Sequence, residues 1–142
     1  MGREPLISEQ HARSRRWAIV ANEGDSVWLY LTEPDRERPV ADCWLLNTIP
    51  APEDLSAYRA ARSAPAATRE FAGPDARGVF PDASSVRFQW SADGESVAAF
   101  VTDELLGFIA SGQRRGFSRH LVAEGPFGHP LDQQLYSRLF RD

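Results

Sequence analysis

The residues of this chain best suited to chemistry are one cysteine, three histidines, a carboxylate among apolar neighbours and a short run of arginines. Zinc wants closely spaced His or Cys pairs completed by further ligands. Here His11 stands apart, His120 and His129 flank a Gly/Pro turn, and Cys43 has no second thiol, so no metal site and no internal disulfide are expected. There is no phosphate-binding glycine loop, so no nucleotide or other cofactor is expected. No Gly-x-Ser-x-Gly elbow occurs either. Cys43 sits between apolar residues, where a thiol packs rather than attacks. The expectation is a protein that is not an enzyme.

Two features keep other readings open. Alternation along residues 40–47 sets Asp42 on one strand face with Val40, Trp44 and Leu46, where a bare carboxylate is costly. Such an Asp pairs with an arginine or a backbone donor, or it meets a ligand or partner. The segment Arg114-Arg115-Gly116-Phe117-Ser118-Arg119-His120 gathers three guanidinium groups, an aromatic ring and a hydroxyl around a glycine. It reads as a solvated loop, as a docking surface for a protein, or as a grip on a carboxylate or phosphate. Asp42, Arg119 and His120 together would make a small-ligand or catalytic pocket, with His120 as acid or base.

The elements that must position these groups come from a near repeat. Residues 23–33 align without a gap on residues 93–103: Gly24 on Gly94, Ser26 on Ser96, Val27 on Val97, Tyr30 on Phe100 and Thr32 on Thr102. Each copy is a glycine turn followed by an alternating strand, the pattern of a hairpin. Strands are expected at residues 17–21, 26–32, 40–47, 86–90, 96–102, 105–111 and 117–122, with a reversal at Asp103-Glu104. Leu131, Leu135 and Leu139, joined by Tyr136 and Phe140, recur at the spacing of one helical face, and Pro130 would open that helix. A second short helix is expected over residues 53–62, and an irregular crossover over 63–84. The expected class is α+β: a single antiparallel sheet of about six to seven strands from two related β-meanders, with the C-terminal helix packed on it. A small β-barrel or sandwich is the alternative. Residues 1–15, charged and without apolar periodicity, read as a flexible tail before one domain over 16–142.

Composition limits the partners. At 142 residues, with 42% hydrophobic content, the chain can bury a core without staples. Every basic residue is Arg, which fits a GC-rich bacterial genome. A net charge of −4 argues against nucleic acid and anionic membranes as partners. No apolar run reaches the ~20 residues of a membrane span, and no export signal is visible, so a cytoplasmic location is expected. Acid is concentrated instead: residues 23–42 hold six acids against two Arg, and residues 92–104 hold four acids and no base.

Four short motifs occur together: the turn and strand of residues 22–30, the Asp-led strand of 42–47, Trp90-Ser91-Ala92-Asp93, and Gly116-Phe117-Ser118-Arg119. Over roughly residues 17–120 the chain resembles a family of small bacterial proteins carrying a domain of unknown function, often like the immunity partners of toxins. The resemblance brings no catalytic residues. It implies an immunity-like, non-enzymatic protein-binding module. The charge pattern itself supplies the partner: by the repeat, the two acidic turns are expected at corresponding ends of the meanders, where an acidic rim suits a basic toxin, with Glu23, Asp25, Asp93 and Glu95 and the loop residues Arg114, Arg115 and Arg119 as contact residues. A homo-oligomer, built as a structural homodimer through an edge strand, is the third reading.

Overall fold

The computed structural model describes residues 6–54 and 64–140. Four strands form the first sheet, in the order β1 (Leu6–Gln10), β2 (Trp17–Asn22), β3 (Ser26–Thr32) and β4 (Pro39–Asn47), all antiparallel. Five form the second: β5 (Val86–Trp90), β6 (Val97–Val101), β7 (Glu104–Ile109), β8 (Phe117–Ser118) and β9 (His129–Pro130). In this sheet β8 and β9 pair in parallel and the other neighbours antiparallel. A seven-residue helix, α1 (Gln133–Leu139), follows.

The expected single layer is therefore corrected to two sheets, and the reason lies in the repeat itself. Val27, Leu29 and Leu31 of β3 share one buried cluster with Val97 and Ala99 of β6, their counterparts 70 residues on, and half-buried Val101 packs against it. The two copies carry the same inward stripe, and two such stripes are buried by stacking the ribbons face to face. The outer faces differ. Trp28 and Trp44 lie under Ala67, Ala76, Leu121 and Phe127, which come from irregular chain. Ala98, Leu105 and Phe108 lie under Leu131, Leu135, Tyr136 and Phe140. Both sheets are covered on both sides, which is why β4 and β7 have almost no polar face.

The sheets approach most closely at β4 and β7. A Cβ on Gly107 would stand 2.7 Å from the Cys43 sulfur and 2.9 Å from Leu45 Cδ2. One on Gly116 would stand 2.5 Å from Cys43 Cβ and 2.7 Å from the Phe108 carbonyl oxygen. Backbone bonds then cross from one sheet to the chain entering β8: the Asp42 amide donates to the Arg114 carbonyl at 2.9 Å, and the Gly116 amide donates to the Asp42 carbonyl at 2.7 Å.

Asn47, 1% exposed, fixes the irregular cover. Its Oδ1 accepts from Trp44 Nε1 at 2.9 Å and from the Ala67 amide at 2.8 Å, while Nδ2 donates to the Ala67 carbonyl at 2.9 Å. Its backbone adds bonds to Ala76 and Gly78.

Three further expectations change. Residues 6–10, assigned to a flexible tail, form an edge strand, because Ile7 packs into the shared core and Glu9 accepts from Trp90 Nε1 at 2.7 Å. The reversal after β6 falls one residue earlier, on Thr102 and Asp103, both at positive φ (48° and 65°), the pairing that a tight two-residue hairpin needs. The last helix begins at Gln133 rather than Pro130, because Asp132 caps it by accepting from the Leu135 amide at 3.0 Å. The helix expected over residues 53–62 lies, apart from its first two residues, outside the described residues.

Replacing Asn47 by Ala leaves the Ala67 amide and carbonyl and the Trp44 indole N–H without partners, so it should cost about 2–4 kcal/mol in chemical denaturation. Gly107→Ala should cost about 1–3 kcal/mol through overpacking. Cys43→Ala in that background should restore part of the loss although it destabilises the native sequence, a non-additivity that separates contact from mere proximity.

Candidate functional site

On the outer side of the first sheet, five chain segments enclose a cleft of about 270 Å³. β3 contributes Trp28 and Tyr30, on the same face two residues apart and stacked at 10° with centroids 6.4 Å apart. The turn before β9 contributes Pro126 and Phe127, Phe127 being held by the Phe71 ring at 5.8 Å. Ala64 and Pro65 form the opposite wall. That wall is tied to the floor through one hydroxyl: Ser26 Oγ accepts from Trp28 Nε1 at 2.8 Å and lies 3.2 Å from the Pro65 carbonyl, to which it donates.

The rim is charged. Arg115 Nη1 donates to both oxygens of Asp42, at 2.8 and 2.7 Å. This pair follows from the backbone crossing, since Asp42 and Arg115 are the bridged residues of the two segments. Glu23 adds a second carboxylate, accepting from the Tyr30 hydroxyl at 2.5 Å. Burial, the Glu23 bond and charge, and the Asp42 charge push the Tyr30 phenol well above its ordinary 10.0, in that order of weight. It stays a donor throughout the working pH range.

The other expected contact residues are dispersed. Glu95 is held by Arg16 at 2.7 Å, and Arg16 also donates to the Thr32 carbonyl at 2.8 Å. The turn of Asp93 and Glu95 thus lies at the Thr32 end of β3, whereas Glu23 and Asp25 lie at its Ser26 end, about 20 Å away along seven residues. The two acidic turns form no common rim. Their meanders correspond, but stacking the sheets points them to opposite ends. Asp93 spends its carboxylate locally: the Glu95 amide, then the Ser91 hydroxyl, hold it below its ordinary 3.8.

Asp42, Arg119 and His120 do not share one cavity among the described residues. Arg119 and His120 line a separate concavity of about 480 Å³ with Asp75 and Glu104. There Arg119 Nε donates to the Leu105 carbonyl at 2.6 Å and lies 3.7 Å from Glu104. Burial, more than any charge, lowers the His120 imidazole below its ordinary 6.5, so it is neutral at pH 7. Among the described residues no group of three His, Cys, Asp or Glu side chains is placed to hold a metal ion, and no helix is long and apolar enough to cross a membrane. Cys43 is fully buried, and burial raises its thiol far above the ordinary 9.0, with Asp42 adding to the effect.

Sequence reasoning singled out Asp42, Glu23 and Arg115 but missed Tyr30, Pro65, Pro126 and Phe127. Alternation did put Trp28 and Tyr30 on one face; nothing in local sequence said which distant segments would wall it. No protein-family model, curated protein or solved structure matches the chain, so its function has to be inferred from this geometry.

The buried thiol carries a pH signature. Above its ordinary value of 9.0 the unfolded thiol ionises while the folded one keeps its proton. The unfolded state then binds fewer protons, and stability should fall by about 1.4 kcal/mol per pH unit. Tyr30 adds a second loss above its ordinary 10.0. Denaturation series at pH 8, 9 and 10 check this. Cys43→Ala should be less stable throughout yet flatter between pH 9 and 10.

Proposed function

We propose that this protein is a non-enzymatic protein-binding module, of the kind an immunity protein provides against a bacterial toxin, and that a basic partner seats on the Tyr30–Asp42–Arg115 cleft. The observation that carries this is the composition of the cleft. Trp, Tyr and Arg dominate the energetic centres of protein interfaces, and here they converge from separate segments on a preformed concavity. Stacked rings and prolines supply rigid contact area at small entropic cost. The charge sets the partner's sign: Asp42 is paired with Arg115, and Glu23, which accepts from the Tyr30 hydroxyl, adds a second carboxylate beside the cleft, so that acid outweighs base there. An acidic rim attracts a basic surface and speeds its docking. The interior thiol, protonated and closed off by Gly107 and Gly116, takes no part.

Of the contact residues first expected, this reading keeps Glu23 and Arg115. It adds Asp42 and Tyr30, and it leaves Asp93 and Glu95 to the far end of the sandwich. Co-expression with the products of neighbouring genes tests it. A stable complex and relief of growth arrest by one such product are expected, with association that slows as salt rises. Asp42→Arg should weaken the complex at least about tenfold while far-UV circular dichroism is unchanged. If no neighbouring product binds and no arrest is relieved, or if Asp42→Arg binds as tightly as the native chain, the proposal fails.

A further inference from the structure

A third cavity, of about 400 Å³, opens between the sheets at the other side of β4. Its floor is apolar: Leu31, Ala41 and Ala110 are nearly buried, and Val40 is 42% exposed. One end is closed by the Arg16–Glu95 pair, whose guanidinium is also bound to the Thr32 carbonyl. The other end carries Arg114 beside Gln113. The Arg114 carbonyl accepts the Asp42 amide, but its guanidinium has no hydrogen-bond or ion-pair partner among the described residues. The volume lies within the range of about 300–1,000 Å³ typical of small-ligand sites, and an apolar lining with few polar groups is their usual chemistry.

We propose that this cavity binds a small aliphatic monocarboxylate, independently of the partner cleft. Arg114 takes the carboxylate through its planar pair of N–H donors, with the Gln113 amide alongside. The hydrocarbon chain lies over Leu31, Val40, Ala41 and Ala110, covering the apolar side chain that Val40 otherwise leaves to water. One negative charge is specified, because Arg16, the other cation of the cavity, is already neutralised by Glu95. The backbone that builds the site is fixed independently of the Arg114 side chain: the Ser111 amide donates to Ser96 Oγ at 2.9 Å and the Gln113 amide to the Ala110 carbonyl at 3.0 Å.

Octanoate and 1-octanol, titrated into the 15N-labelled full chain, test the proposal. Octanoate should shift the amides of residues 40–41 and 110–114 saturably. Octanol should bind at least about tenfold more weakly, because it offers the guanidinium no charge. Arg114→Gln should lose at least about tenfold in octanoate affinity with its spectrum otherwise intact. Arg138→Gln, which alters a cation on α1 outside the cavity, should bind as the native chain does. Absence of saturable shifts, equal affinity for the alcohol, or undiminished binding by Arg114→Gln would each overturn the assignment.

Discussion

The structure depends on a place where the second sheet has no room for a side chain. Cys43 on β4 presses against Gly107 on β7 and Gly116 at the entry to β8, so the two layers meet almost backbone to backbone. That contact lets the amide and carbonyl of Asp42 bond across to the chain of the other sheet. Larger side chains there would push the layers apart and leave those groups unpaired, a cost comparable to losing the hydrogen bonds outright. The charged rim follows from the same contact. Once Arg114 and Gly116 are bonded to Asp42, Arg115 between them has a carboxylate within reach.

Asn47 does on the outer face what the glycines do within. A run of chain without regular structure has to satisfy its backbone somewhere. One buried amide supplies a donor and an acceptor to Ala67, while Trp44 shares the same oxygen. Ser26 repeats the device on a smaller scale, joining Trp28 to Pro65. Its counterpart Ser96 ties down Ser111. The two serines matched by the repeat therefore both fasten a later segment to the start of a strand, and both are buried.

Local pattern revealed the strands and the helical stripe, since alternation and glycine turns are properties of a few neighbouring residues. It did not reveal the number of layers. One inward stripe on residues 27, 29 and 31 and another on 97, 99 and 101 are equally compatible with ribbons side by side or face to face. The choice turns on Gly107 and Gly116, whose role appears only beside Cys43. Residues 6–10 misled for a related reason: charge at Glu9 suggested solvent, and the tryptophan that donates to it lies 81 positions away. Asp42 was legible as an anomaly because its face was otherwise apolar. The walls of its cleft were not, because Pro65 and Phe127 reach it through the packing of irregular segments that carry no periodicity.

Each layer is drawn from one unbroken half of the chain, residues 6–47 and residues 86–130, with no strand exchanged between them. Greek-key sandwiches exchange strands between their sheets, so that dividing such a chain in two shares a ladder between the fragments. Here a cut in the connection would leave both ladders whole. Neither half could keep its inner stripe dry alone, so the association that makes this fold is bimolecular in character even though one polypeptide carries both members.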